Sequence, residues 1–240
     1  MERFTKVLAA IMLITAMLFT VGCKKNKVES NGGGHGGGGS NDHAYVDLGL
    51  PSGLLWATCN IGADTPEGYG QYFAWGETQT KDLYNWSTYQ HANGTFVAVT
   101  KYCNDPNYGY QGYTDDLVTL QPEDDAAVVN WGNGWRMPTK DDWQELYDNT
   151  TEAWVTQNGV NGCLLTASNG NTLFLPAAGY YLTNTSLAAA GRYGLYWSSS
   201  LYTEETIRAH NFDFACDGYG PWNSARTGGN SVRPVRSSQD

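Results

Sequence analysis

The chain has 240 residues, with 14 Lys and Arg against 24 Asp and Glu and a net charge of −10 when histidines are neutral. That length suits one domain, or two small ones once any processed segment is removed. From His43 onward nine basic residues stand against 21 acidic ones, which argues against nucleic acid as a partner. The carboxylates are scattered, so they read as solubility rather than as one block built to hold a cation.

Residues 1–22 read as an export signal: Arg3 and Lys6 precede an apolar run that ends at Gly22 and is too short for a comfortable spanning helix. Thr20-Val21-Gly22-Cys23 resembles a bacterial lipobox, with Thr20 where leucine is usual. The resemblance implies cleavage before Cys23, lipidation of its thiol and membrane attachment by a lipid anchor. Residues 23–42 are then the lipidated cysteine and a Gly-rich tether with too little apolar content to offset the entropy of ordering. An outer-membrane lipoprotein is the expectation. Lys24-Lys25-Asn26-Lys27 lacks the acidic run expected behind a surface-export cysteine, so display at the surface and toward the periplasm both stay open.

The folded domain is expected over residues 43–240. Tyr45–Leu50, Leu54–Ala63 and Gln71–Gly76 are β-favouring runs separated by Gly and Pro. Residues 78–115 are rich in Tyr, Asn and Gly without clear periodicity, and read as a long ordered loop. Gln121–Trp131 is a helix candidate with Pro122 at the first helical position and three acidic residues in the first turn. The best-signalled helix follows: Thr139 can cap it, Asp141 and Asp142 suit its first turn, and Trp143, Leu146 and Tyr147 share one face. Trp135, Trp143 and Leu146 read as core. Gly162–Pro176 reads as a hairpin whose Asn169-Gly170 supplies positive φ angles. Ala177–Leu182, Leu195–Ser200, Ile207–Phe214 and Ser231–Arg236 complete the strands, and no solenoid repeat is present. The fold class is therefore α+β, with two short helices, mostly antiparallel strands and extensive loops.

Beyond Cys23, the cysteines are Cys59, Cys103, Cys163 and Cys216, which permit three complete pairings and contain no Cys-x-x-Cys. Buried free thiols are the alternative. There is no Gly-x-Ser-x-Gly, His-Glu-x-x-His or phosphate loop, and no catalytic residues are assigned. Calcium would need six or more oxygen ligands, some of which Asp115, Asp116, Glu123, Asp124 and Asp125 could provide. Helix capping and solvation explain the same residues, so no metal ligands or cofactors are assigned.

Taken in order, Tyr45-Val-Asp-Leu-Gly-Leu-Pro-Ser-Gly-Leu-Leu-Trp-Ala-Thr58, Tyr72-Phe-Ala-Trp-Gly-Glu77, Gly134-Trp-Arg-Met-Pro-Thr139, Leu175-Pro-Ala-Ala-Gly-Tyr180, Tyr196-Trp-Ser-Ser-Ser200 and Ser231-Val-Arg-Pro-Val-Arg236 resemble the Fibrobacter succinogenes major paralogous domain family and related lipoproteins of Bacteroides-type bacteria. The resemblance implies a C-type-lectin-like fold of the formylglycine-generating-enzyme kind, in which C-terminal strands and loops form the ligand face. It brings no enzymatic activity. The oxidases of that kind need two cysteines near the C-terminus where this chain has only Cys216, so a degenerate oxidase is an alternative only. Gln121-Pro122-Glu123 and Trp222-Asn223-Ser224 mimic the calcium motifs of lectins, but lie far apart and lack the final carboxylate.

The ligand face is expected over residues 208–230. Alternation turns Phe212 and Phe214 inward and Asp213 outward, and Ala215–Gly229 reads as a Gly-rich recognition loop. The candidate ligand-binding residues are Arg208, His210, Asp213, Asp217, Tyr219, Trp222, Asn223 and Arg226, for a protein or glycan ligand. From Ala215 to Asn230 every residue except Trp222 can be reached from an AAC codon by changing adenines, the pattern of a deliberately diversified segment. A structural cell-envelope or fimbria-like component is the alternative to a binding protein.

Overall fold

The computed structural model describes residues 43–132, 134–182 and 185–238; the export signal, Cys23 and the tether lie outside the described residues. In chain order the elements are β1 (Tyr45–Asp47), β2 (Leu55–Ala57), α1 (Ala126–Trp131), β3 (Trp135–Arg136), α2 (Lys140–Asp148), β4 (Thr150–Gln157), β5 (Val160–Ala167), β6 (Thr172–Pro176), β7 (Tyr180–Tyr181), β8 (Leu187–Ala188), β9 (Tyr193–Leu201), β10 (Arg208–Ala215), β11 (Gly218–Ala225) and β12 (Val235–Arg236). The strands form sheets of order β1-β2-β12-β3, β4-β5-β6, β11-β10-β9 and β7-β8, and every pairing within them is antiparallel. This is an α+β fold dominated by antiparallel strands.

Helix α2 begins where the sequence places it. The Thr139 hydroxyl accepts from the Asp142 amide at 3.1 Å, and the Asp142 carboxylate accepts from the Thr139 amide at 2.7 Å, a reciprocal cap that satisfies two otherwise free donors. Trp143 and Leu146 are fully buried, and Tyr147 packs at the margin. The Trp143 ring stacks on Phe212 at 4.8 Å and tilts against Trp56 at 4.7 Å, so α2 joins the first sheet to the β9–β11 sheet. Its Glu145 accepts from both the amide and the hydroxyl of Ser52, pinning the turn after β1.

The earlier helix is shorter than expected. Pro122–Asp124 forms one 3-10 turn, and α1 starts only after Asp125, whose carboxylate accepts from the amides of Ala127 and Val128. The same carboxylate also takes the Met137 amide, so the second helix start serves as a tie to β3.

Gln71–Gly76 is extended but forms no strand beyond a single bridge from Phe73 to Asn230. Tyr72, Phe73, Ala74 and Trp75 are all buried, so the segment threads between packed layers. Its Phe73 and Trp75 amides reach the carbonyls of Asn230 and Arg226 instead of a ladder partner. Residues 78–115 are an ordered loop as expected.

Between β5 and β6 only Gly170 takes a positive φ, not Asn169. The Asn-Gly turn with two positive φ angles lies one hairpin earlier: Asn158 (φ 49°) and Gly159 (φ 84°) join β4 to β5. Among the cysteines, Cys103 and Cys163 are buried and free and Cys216 is exposed and free, so the four do not form the two internal bridges that their number permits.

Candidate binding face on the β9–β11 sheet

The largest departure from expectation falls in the candidate site. Residues 218–225 are not loop but β11, paired along its whole length with β10 through a two-residue turn at Cys216 and Asp217. Phe212 and Phe214 are buried and Asp213 is half-exposed, as alternation requires. Strand β11 is the free edge of its sheet. Gly218, Gly220 and Pro221 make it a poor template for further strand pairing.

Pairing sorts the candidate residues onto two faces. Arg208, His210, Phe212 and Phe214 alternate along β10 and stand opposite Ala225, Asn223, Pro221 and Tyr219. The inner part of this face packs against α2, with the Tyr219 ring 5.0 Å from Tyr147. At its outer end Arg208 donates from Nη2 to the Asn223 carbonyl at 3.0 Å and from Nε to the Asn223 side chain, and lies 3.8 Å from Glu205. His210 meets Tyr202 edge-on at 5.2 Å. Burial, with Lys140 nearby, holds its imidazole below the ordinary value. Arg208 and Asn223 thus bond to each other at this partly exposed end, with His210 beside them bonded to the Trp222 backbone and set against Tyr202.

The opposite face carries Ala209, Asn211 and Asp213 from β10, across from Ser224, Trp222 and Gly220. One half is closed: Ala209 pairs toward Leu201, and Trp197, opposite Asn211, lies in the cluster built on Trp75, Trp135 and Val232. The other half is open. Trp222 is 60% exposed, the most exposed large apolar residue of the described chain. Asp213 accepts from the Tyr193 hydroxyl at 2.7 Å, and the Tyr193 ring meets Tyr180 edge-on at 6.0 Å. Burial pushes the Asp213 carboxyl up, against the lowering effect of that tyrosine bond. Asp217 stands exposed at the hairpin turn. Sequence reasoning missed Tyr180 and Tyr193. The signal for Tyr193 was its period-two spacing with Leu195 and Trp197, which puts all three on one face of β9.

Arg226 is corrected outright: it is fully buried and belongs to the core. Its guanidinium donates to the Tyr89 hydroxyl at 2.9 Å and to the carbonyls of Tyr102, Thr206 and Lys101 at 2.9, 3.0 and 2.9 Å. The rings of Trp75, Tyr89 and Tyr102 surround it, the nearest at 4.8 Å. Residues 226–230 are all buried, because Gly229 lies so close to Tyr84 that an added Cβ would sit 2.7 Å from the ring. A diversified surface would therefore be confined to the strand before Arg226 and its turn. Tyr219 likewise acts mainly in packing.

Four of the five acidic residues weighed for calcium hold other groups, and Asp116 is exposed. Asp115 accepts from the amides of Tyr102 and Cys103, and Asp124 from the Lys101 ammonium at 2.6 Å and the Tyr102 hydroxyl at 2.5 Å. They fasten the 78–115 loop. Beside Asp124, His91 is buried with Nε2 2.8 Å from the Gly76 carbonyl, and burial holds its imidazole below the ordinary value of 6.5. A depressed folded value means that the unfolded chain takes up this proton first, so His91 favours the folded state above about 6.5 and loses that contribution as pH falls toward the folded value. The melting temperature should therefore drop on acidification from about pH 7 to about pH 5 more steeply in the parent than in His91→Gln, whose amide can still donate to Gly76. Equal slopes would mean that His91 titrates as it does in the unfolded chain.

No family model, no curated protein and no solved structure matches this chain.

Proposed function

We propose that the chain is a non-enzymatic binding protein, held at the bacterial cell envelope by a lipid on Cys23, that takes a protein or glycan ligand on the open half of the β9–β11 sheet. The resemblance to the Fibrobacter succinogenes major paralogous domain family and its C-type-lectin-like fold belongs to the same proposal. The observation that carries it is Trp222, a large aromatic left 60% exposed on a fully paired strand. An indole in such a position costs solvation when nothing covers it, and aromatic anchors of this kind dominate binding energies. The strand backbone beneath it is fixed by β10, so little ordering entropy opposes association.

The test is an array of glycans and proteins probed with the parent and with Trp222→Ala. The variant should melt with the parent, because its ring lies outside the core, and should bind the captured ligand at least about tenfold more weakly. Unchanged affinity in the variant would move the site off this face.

A further inference from the structure

We propose that the ligand group taken by this face is the guanidinium of an arginine side chain on a partner protein, laid over Trp222 and bonded to Asp213. The inference rests on the reading that the open half of the β9–β11 sheet is the binding face, and it names the chemistry of that face.

The polar group left open there, the Asp213 carboxylate, is an acceptor. Asp213 receives only the Tyr193 hydroxyl, on Oδ2, and among the described residues no Lys, Arg or His nitrogen forms an ion pair with it. Asn211 donates to the Ser224 hydroxyl at 2.7 Å, while its own Oδ1 is buried and has no hydrogen-bond partner. Asn211 stands directly opposite Trp222, and Asp213 directly opposite Gly220. No side chain of the edge strand therefore stands between Asp213 and Trp222, whose positions are diagonal on the paired strands, a spacing of roughly 7–8 Å between backbone positions that long and aromatic side chains can bridge.

A half-buried carboxylate without a counter-charge is costly, and a cation from outside is the group that offsets the cost. The surroundings favour the same sign. Asp217 adds a second negative charge near Tyr193, and the faces of Trp222, Tyr193 and Tyr180 carry the negative side of their quadrupoles. Guanidinium fits better than ammonium: it is planar, stacks on indole, and offers five donors and no acceptor to a site whose open polar group is a carboxylate. A sugar also donates, but its hydroxyls bring no charge to Asp213.

The experiment follows the Trp222 indole N–H resonance of the purified full chain, identified by its absence in Trp222→Phe. N-acetyl-arginine amide at millimolar concentration should shift it saturably, and N-acetyl-citrulline amide, of the same shape but neutral, should do so at least about tenfold more weakly. Asp213→Asn should lower the arginine response to the citrulline level. Equal responses to the two amides, or no response to either, would overturn the inference without recourse to any variant. So would a neutral oligosaccharide that shifts Trp222 equally in the parent and in Asp213→Asn, although the binding face itself would then stand. A ligand that leaves Trp222 unshifted and unaffected by Trp222→Ala would instead defeat the reading of the face.

Discussion

Arg226→Ala should cost about 3–5 kcal/mol and leave a chain that melts far below the parent, because it strands several buried neutral acceptors at about 1–3 kcal/mol each. The carbonyls of Lys101 and Thr206 and the Tyr89 hydroxyl lose the guanidinium donor in a buried setting between Trp75, Tyr89 and Tyr102, and the Tyr102 carbonyl keeps only the Thr206 hydroxyl. Those carbonyls belong to Lys101 and Tyr102 on the long loop and to Thr206 before β10, so the arginine is the tie between them. Domains of this size hold only about 5–15 kcal/mol in total. Chemical denaturation of the variant measures the loss directly. A variant that keeps the parent's midpoint but no longer binds would return Arg226 to the ligand face and refute its structural role.

Trp143→Ala should be comparably severe, at about 3–5 kcal/mol. The indole is fully buried, its N–H donates to the Trp197 carbonyl at 3.2 Å, and its ring fills the space between Trp56 and Phe212. Its removal opens a cavity at the junction of α2 with two sheets, where neighbours fixed by strand pairing can collapse only in part. A thermal melt within a degree or two of the parent would mean that α2 is not the keystone described.

Elements governed by local chemistry were legible. Thr139 with Asp142 wrote the start of α2, and the spacing of Trp143 and Leu146 wrote its buried face. The alternation of β10 correctly turned Phe212 and Phe214 inward. What stayed hidden was set by distant partners. Residues 218–225 hold two glycines and a proline, a composition that reads as loop, yet they pair because β10 already presents a ladder and Gly and Pro are tolerated at a sheet edge. The opposite error concerned Gln71–Gly76, whose β-favouring residues have no neighbouring strand to join. Arg226 looked like a recognition residue because an arginine among small residues usually faces solvent. Its core role depends on Tyr89 and Tyr102, more than a hundred residues earlier, and no local pattern announces that. Asn158-Gly159 and Asn169-Gly170 are the same dipeptide, and only the first takes two positive φ angles.

For the candidate site, the strand and its direction carried over but the grouping did not. The eight candidate residues divide into a bonded pair at Arg208 and Asn223 with His210 beside it, an open face at Asp213 and Trp222, an exposed turn residue at Asp217, a packing residue at Tyr219 and a core arginine at Arg226. Linear proximity cannot separate the two faces of a hairpin until the register is known, and a one-residue shift would exchange them.

The most direct measurement of the central claim is the hydrogen-exchange footprint of the first ligand identified. Binding on the open half of the β9–β11 sheet predicts slowed exchange at the amides of residues 218–220, 222 and 223, with exchange in β4–β6 unchanged. Slowing confined to β4–β6 or to the 78–115 loop, with β11 unaffected, would contradict the account.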